Sequence, residues 1–150
     1  MNIKYTSILL ILFSLFVAQT SLAQLSIIPL PAQTELNEGV FSITAQTKLS
    51  YDNLSLLKMA TEAANRWQQN GVNLHPQAYR NGNIEGTILL SLNHPNDKQL
   101  GLEGYSLTIN TGAVVLRANT DAGIRYGLQT IGQLLDVSKN GQLPCATIVD

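Results

Sequence analysis

The sequence predicts an α+β domain in which a mixed, largely antiparallel sheet carries two helices on one face. Three observations predict this fold class. Short stretches with the two-residue alternation of strands recur along the chain, and two longer segments change to the helical period. A hairpin signal joins two of the strands, which requires antiparallel pairing. Two helices with one apolar stripe each can lie side by side on such a sheet.

Residues 1–23 have the pattern of a secretory signal peptide. Lys4 supplies the positive charge, the segment Ile8–Ala18 is apolar, and Ser21 and Ala23 are the small residues of a cleavage site. The alternative is a membrane anchor, but the apolar run has about half of the roughly 20 residues that a spanning helix needs. We therefore expect cleavage after Ala23, export to the periplasm or the cell exterior, and no stable membrane anchor.

The remaining chain, residues 24–150, has the composition of one globular domain. Hydrophobic residues make up 45% of the sequence and charged residues 13%, with a net charge of −1. This balance, without a run of like charge, argues against nucleic acid or an anionic membrane as a partner. Cys145 is the only cysteine, so no internal disulfide can form, and its apolar neighbours predict a buried, unreactive thiol.

The first half of this domain predicts strands, one helix and a buried strand. Pro29 and Pro31 make the stretch "SIIPLPAQTEL" extended, as an edge strand or a strand entrance. The stretches "GVFSIT" and "TKLSYD" follow as short strands. The segment Leu54–Asn70 has helical periodicity, with Gly71 as its C-terminal cap. The segment Thr87–Asn93 is apolar on both faces, which is typical of a central strand.

The second half predicts a hairpin, a second helix and a last strand. The strands "GYSLTIN" and "AVVLRA" flank Asn110-Thr111-Gly112, where we expect glycine to supply a positive φ. Asn119 or Thr120 is expected to cap the second helix, with Asp121 in its first turn. The stretch "LPCATIVD" follows as a strand. The predicted order is ββ(β)–α–βββ–α–β.

The second predicted helix, Ala122–Leu135, contains two glycines that weaken it. Each glycine costs about 1 kcal/mol relative to alanine in a helix interior. Gly127 lies beside the apolar stripe, so we expect it to let the helix approach the sheet or the first helix closely. Tyr126 points off the stripe, and we expect it to contact something outside this domain.

None of the polar residues forms a recognisable catalytic, cofactor-binding or metal site. Glu35 and Glu38 are close in sequence, but two carboxylates in an exposed loop are usually only solvated. His75 and His94 each precede a proline in a turn, and neither has a partner at metal-ligand spacing. The segment Gly101–Gly104 lies between a loop and a strand, which predicts a turn and not a phosphate loop.

Two further patterns have a structural reading that is stronger than the functional one. The sequence Asn53-Leu54-Ser55 matches the N-glycosylation signal, but this short pattern often arises by chance. Trp67 could form a sugar platform, but it lies on the apolar face of the first helix, which favours core packing. From the residues alone, we expect an exported domain without an active site of its own.

Three blocks of the sequence resemble one known family. The stretches "IIPLPAQTELNEGVFSI", "LEGYSLTI" and "AGIRYGLQTIGQLL", the last followed by "LPCATIVD", resemble the N-terminal domain of β-N-acetylhexosaminidases of glycoside hydrolase family 20. The resemblance runs from about Ile27 to Asp150 and keeps the order and spacing of the blocks. It implies a sheet backed by two helices, a non-catalytic role, and a (β/α)₈ catalytic barrel that begins after Asp150.

The resemblance also implies what the whole protein would do. Such enzymes remove terminal N-acetylhexosamine from glycans, and the substrate's own acetamido oxygen attacks the anomeric carbon. An aspartate–glutamate pair and a substrate-binding arginine belong to the barrel, so no catalytic residue is assigned here and no cofactor is expected. The barrel of the same polypeptide is the expected partner, through the helix Ala122–Leu135. The alternatives are a stand-alone carbohydrate-binding or interaction module, or the leading domain of another glycosidase family.

Overall fold

The computed structural model describes residues 25, 27–138 and 140–150, and a seven-stranded sheet with two helices forms the domain. The predicted signal peptide lies outside the described residues. The helices are α1 (Leu57–Trp67) and α2 (Asp121–Val137). The strands are β1 (Gln33–Ser42), β2 (Lys48–Tyr51), β3 (Pro76–Ala78), β4 (Thr87–Leu92), β5 (Tyr105–Ile109), β6 (Ala113–Ala118) and β7 (Gln142–Val149).

The predicted mixed sheet with two helices is confirmed. The strand order is β1–β7–β5–β6–β4–β2–β3. Strands β1, β7, β5 and β6 pair antiparallel with their neighbours, whereas β6, β4, β2 and β3 pair parallel. Three of these strand pairs are antiparallel and three are parallel, whereas we expected a largely antiparallel sheet. Strand β5 runs antiparallel to β4 and brings the chain back to the sheet edge at which β4 begins. Strand β6 starts at that edge and therefore runs parallel to β4.

Two strands differ from the sequence prediction. The extended entrance and the strand "GVFSIT" form one edge strand, β1, with an irregularity in its pairing with β7 between Leu36 and Val40. Gly39 adopts a φ of 102° within that irregularity, which an L side chain rarely does. Strand β3 was not predicted, since it has three residues and begins with Pro76. Proline is tolerated there because β3 is the other edge of the sheet.

The first predicted helix is confirmed over its full length. A 3₁₀ turn at Leu54–Leu56 precedes α1 and another at Gln68–Asn70 follows it. The side chain of Asn53 accepts a hydrogen bond from the backbone N–H of Ser55 at 3.0 Å. Gly71 ends the helical segment with a φ of 77°.

The hairpin between β5 and β6 is confirmed, but its turn works differently from the prediction. Gly112 does not adopt a positive φ. Instead, Oδ1 of Asn110 accepts hydrogen bonds from the backbone N–H groups of Gly112 (2.9 Å) and Ala113 (2.7 Å). A Cβ atom on Gly112 would meet only the end of the exposed Glu85 side chain, 2.5 Å from its Oε2. The asparagine side chain therefore holds this turn.

Candidate functional site

The candidate site is the surface at the start of α2, where three segments of backbone meet. Thr120 is the N-cap, and its Oγ1 accepts a hydrogen bond from the backbone N–H of Ala122 at 3.2 Å. The same hydroxyl donates to the backbone oxygen of Leu102. This ties the turn Gly101–Gly104 to the first turn of the helix, where Asp121 complements the helix dipole.

The end of β7 lies against the same turn. A Cβ atom on Gly123 would lie 2.3 Å from the backbone oxygen of Gly104, and one on Gly104 would lie 2.5 Å from that of Asp150. Tyr105 and Asp150 exchange both of their backbone hydrogen bonds, at 2.9 and 3.0 Å. The chain therefore reaches Asp150 directly beside the N-terminus of α2.

Four large apolar side chains are exposed on α2 or on segments hydrogen-bonded to it or to the end of β7, and we call them the apolar rim: Ile28, Leu30, Leu102 and Tyr126. Their exposed fractions are 80%, 68%, 72% and 43%. Leu102 belongs to the turn that the N-cap holds, and Tyr126 follows Gly123 by one helical turn.

The segment before β1 brings the other two members of the rim to α2. The backbone N–H of Ile28 donates to Oε1 of Gln133, and Nε2 of Gln133 donates back to the oxygen of Ile28, each at 2.7 Å. The backbone N–H of Ala32 donates to Oδ1 of Asp150 at 3.2 Å. These bonds anchor Leu30 between α2 and the end of β7.

A buried hydrogen bond fixes the position of α2 on the sheet below the rim. The hydroxyls of Tyr105 and Thr130 lie 2.6 Å apart, and both residues are buried. Burial raises the pKa of the Tyr105 hydroxyl above its ordinary value; the Thr130 hydrogen bond lowers it and the charge of Asp150 raises it further.

The groove between the two helices is more polar than the rim. Met59, Ala63 and Leu128 form an apolar floor, and each is at least nine-tenths buried. Charged and amide side chains border that floor: Glu62, Arg66, Arg125 and Gln129. The outer surface of the helix pair therefore combines an apolar floor with a charged border, and Tyr126 lies on the rim side of it.

The residues that the sequence singled out for possible chemistry do not come together. Glu35 and Glu38 are exposed, but they lie on strand β1 and not in a loop, so that part of the expectation was wrong. His94 lies at a bend, as expected, whereas His75 lies in the extended segment directly before β3. Among the residues that the structure describes, no three metal-ligating side chains form a group.

Three other sequence interpretations, for Cys145, Trp67 and the segment Gly101–Gly104, are confirmed. Cys145 and Trp67 are buried, with exposed fractions of 2% and 1%. The segment Gly101–Gly104 forms a turn, in which Gly101 has a φ of 60°.

Within the described ranges, no helix has the length and apolar character needed to cross a membrane.

Three of the four rim residues were not predicted from the sequence. A signal was available for Leu102, because a leucine between two glycines of a tight turn cannot easily reach a core. Ile28 and Leu30 each precede a proline, which disfavours a regular strand. Their side chains are therefore less easily buried in the core of a sheet. Only Tyr126 had been singled out, since its position off the apolar stripe could be read from the helical period.

Comparison with known proteins decides the family. Residues 24–150 match glycosyl hydrolase family 20, domain 2. The chain belongs to this family. No curated protein matches the sequence.

The fold of this family 20 domain recurs in solved structures of bacterial enzymes. It is similar to β-N-acetylhexosaminidase from Bacteroides fragilis (TM-score 0.62, 19% identity, 83% of this chain and 24% of that one). It is also similar to Flavobacterium johnsoniae chitobiase (0.64, 24% identity, 85% and 21%). A third is β-N-acetylhexosaminidase from Streptomyces coelicolor (0.63, 25% identity, 83% and 26%). The chain thus spans about a quarter or less of each of these enzymes.

Proposed function

We propose that this chain is the N-terminal, non-catalytic domain of an exported β-N-acetylhexosaminidase. The observation that carries the proposal is the match of residues 24–150 to domain 2 of family 20. The three solved structures compared above are those of two hexosaminidases and a chitobiase, in which the matching part is 21–26% of the chain. A domain of that relative size leaves the chemistry to the rest of the enzyme.

The proposed partner is the catalytic barrel of the same polypeptide, which would follow Asp150 and pack on α2. The position of two rim residues supports this, because Leu30 and Leu102 belong to segments that contact the end of β7. A barrel that starts there needs no long linker to cover Leu102 and Tyr126. Interfaces between domains of one chain bury this kind of mixed apolar and charged surface.

The proposed substrates are glycans with terminal N-acetylhexosamine, bound by the barrel. In the mechanism that the resemblance implies, the acetamido group of the substrate is the nucleophile and barrel carboxylates are the acid and the orienting group. The domain described here would contribute no reacting atom. Its role would be to cover an apolar face of the barrel and to stabilise its helices.

The experiment that tests this is to sequence the coding DNA beyond codon 150 and assay the complete gene product. We expect a segment that encodes a barrel with an adjacent aspartate–glutamate pair, and hydrolysis of a chromogenic N-acetyl-β-glucosaminide. The chain of 150 residues is the matched control, and we expect it to be inactive. A stop codon directly after Asp150, or a complete product that leaves the substrate intact, would contradict the proposal.

A further inference from the structure

The face of the sheet that points away from the helices carries a polar cluster. Leu116 contacts α2, so its neighbours on β6, Val115 and Arg117, point to the opposite face. The register between β4 and β6 places Ser91 beside Arg117 on that face. Residues 79–84 cross the same face as a loop.

Two adjoining clefts open on this face and at the edge beside it, and we call them together the outer cleft. One has a volume of about 460 Å³ and lies under the loop. The other has a volume of about 350 Å³ and lies where β2, β4 and β6 end. Both are lined by Asp52, and the further polar lining residues are Tyr79, Asn81, Ser91, Arg117, Asn53, Asn93, His94 and Asn119. These volumes are in the range of small-molecule sites.

The second cleft lies at the carboxyl ends of three parallel strands. Strands β2, β4 and β6 are parallel, so their carboxyl ends meet at one edge. From that edge α1 leads the chain to β3 on one side, and α2 leads it to β7 on the other. The residues directly after these three strands, Asp52, Asn93 and Asn119, therefore line one cleft.

A hydrogen-bonded chain organises the polar groups of the outer cleft. Nη1 of Arg117 donates to Oγ of Ser91 at 3.2 Å, and Ser91 donates to Oδ2 of Asp52 at 2.6 Å. The backbone N–H of Leu92 donates to Oδ1 of Asp52 at 3.2 Å. The cation Arg117 and the anion Asp52 are thus both bonded to Ser91 at the cleft. Each keeps free hydrogen-bonding positions, since a guanidinium has five donors and a carboxylate about four acceptor sites.

The loop adds an aromatic side chain that is held in place. The hydroxyl of Tyr79 donates to the backbone oxygen of Gly82 at 2.8 Å and accepts from its N–H at 3.2 Å. The neighbouring Asn81 also lines the cleft, and its amide takes part in no hydrogen bond among the described residues. The outer cleft therefore combines a fixed aromatic ring with planar amide, guanidinium and carboxylate groups.

We propose that the outer cleft binds a neutral oligosaccharide. Hydroxyl groups both donate and accept, which matches a lining of paired donors and acceptors without net charge. Asp52 would repel an anionic ligand and Arg117 would repel a cationic ligand. That the saccharide consists of N-acetylhexosamine units rests on the proposed function, whereas the choice of a neutral saccharide rests on the cleft alone.

The test is a titration of the isotope-labelled chain of 150 residues, followed by backbone amide NMR. The probes are the trisaccharide of N-acetylglucosamine, cellotriose and inorganic sulfate. We expect saturable shifts at Asn81, Ser91 and Arg117 with the first probe. Arg117→Gln should weaken binding about ten-fold or more, because a hydrogen bond to a charged group is lost. Arg66→Gln, an exposed arginine on the helix side, is the matched control and should bind as the wild type does.

Each outcome separates this proposal from the proposed function. Shifts with cellotriose but not with the trisaccharide of N-acetylglucosamine would support the binding of a neutral saccharide in the outer cleft. They would contradict N-acetylhexosamine as the bound sugar, which rests on the proposed function. Stronger binding of sulfate than of either sugar, shifts elsewhere on the domain, no shift at all, or full binding by Arg117→Gln would overturn the cleft proposal. Hydrolysis by the complete gene product does not depend on any of these results.

Discussion

Gly127 of α2 lies against Leu116 of β6 without room for a side chain. A Cβ atom on Gly127 would lie 2.1 Å from Cδ1 of Leu116, a residue that is itself fully buried. Glycine in a helix interior costs about 1 kcal/mol relative to alanine. The close packing of α2 on the sheet offsets that cost and explains the glycine at this position.

Gly127→Ala is expected to destabilise the domain. The added methyl group must displace Leu116 or lift α2, and overpacking of this kind costs about 1–3 kcal/mol. The measurement is the free energy of unfolding from a urea titration. Gly132→Ala is the matched control on the same helix, since its Cβ would lie 3.4 Å from Nε1 of Trp67.

The control should change stability in the opposite direction. A contact of 3.4 Å is ordinary packing, so the helix propensity of alanine dominates and Gly132→Ala should gain up to about 1 kcal/mol. If the Gly127 variant were as stable as the wild type, the close packing of α2 on β6 would be contradicted.

The second helix could be predicted from the sequence because its signals are local. The N-cap Thr120, the apolar stripe and Tyr126 off the stripe all follow from the helical period and from capping chemistry, and the structure confirms them. The three-residue strand β3 and the fusion of two stretches into β1 could not be predicted. They depend on neighbours that lie far away in the sequence.

The two surfaces could not be predicted for the same reason. The apolar rim joins residues before β1 to α2, through a hydrogen bond across 105 positions between Ile28 and Gln133. The outer cleft joins Asp52 to Ser91 across 39 positions, and Ser91 to Arg117 across 26. Strand register decides which of these side chains share a face, and single-sequence patterns do not contain it.

Asn110→Ala is expected to weaken the β5–β6 hairpin. The substitution removes the acceptor of two backbone N–H groups in the turn, and each such bond contributes about 0.5–1.5 kcal/mol. Gly112→Ala is the comparison, because its Cβ meets only the end of the flexible Glu85 side chain and its φ is not positive. We expect the glycine variant to lose less stability than the asparagine variant in urea titrations. The reverse order would favour the original expectation that glycine holds this turn.

Thr130→Val is expected to destabilise the domain by leaving the Tyr105 hydroxyl buried without its partner. The loss should be about 1–3 kcal/mol. The double variant Thr130→Val with Tyr105→Phe removes both polar groups and should recover much of that loss. A double-mutant cycle of unfolding free energies measures the coupling. Strict additivity of the two single changes would contradict a hydrogen bond between these residues.

The same tyrosine gives the domain a dependence on alkaline pH. Burial raises the pKa of Tyr105 above its ordinary value of 10.0, so the unfolded chain loses this proton first as pH rises. The contribution of Tyr105 is therefore fully present below about pH 10 and is lost as the pH rises through the folded pKa. Unfolding free energies between neutral and strongly alkaline pH should fall more steeply for the wild type than for Tyr105→Phe. Parallel curves would contradict the raised pKa.

The last prediction concerns the apolar rim, and it distinguishes a docking surface from an incidental one. Leu102→Ser should change the stability of the 150-residue chain by no more than about 0.5 kcal/mol, as surface substitutions usually do, whereas adding Tyr126→Ser should cost more because Tyr126 is only 43% exposed. In the complete gene product, the same pair should lower stability by about 1.5–3 kcal/mol for each side chain that the barrel buries.

The matched control for this pair is Leu36→Ser on the edge strand β1. Leu36 is 42% exposed and Tyr126 is 43% exposed, so Leu36→Ser is matched to the Tyr126→Ser half of the pair. Thermal unfolding of the chain and of the complete product, each with both sets of substitutions, gives the comparison. If the rim substitutions act equally in the two contexts, or if Leu36→Ser destabilises the complete product as much, then the barrel does not pack on α2.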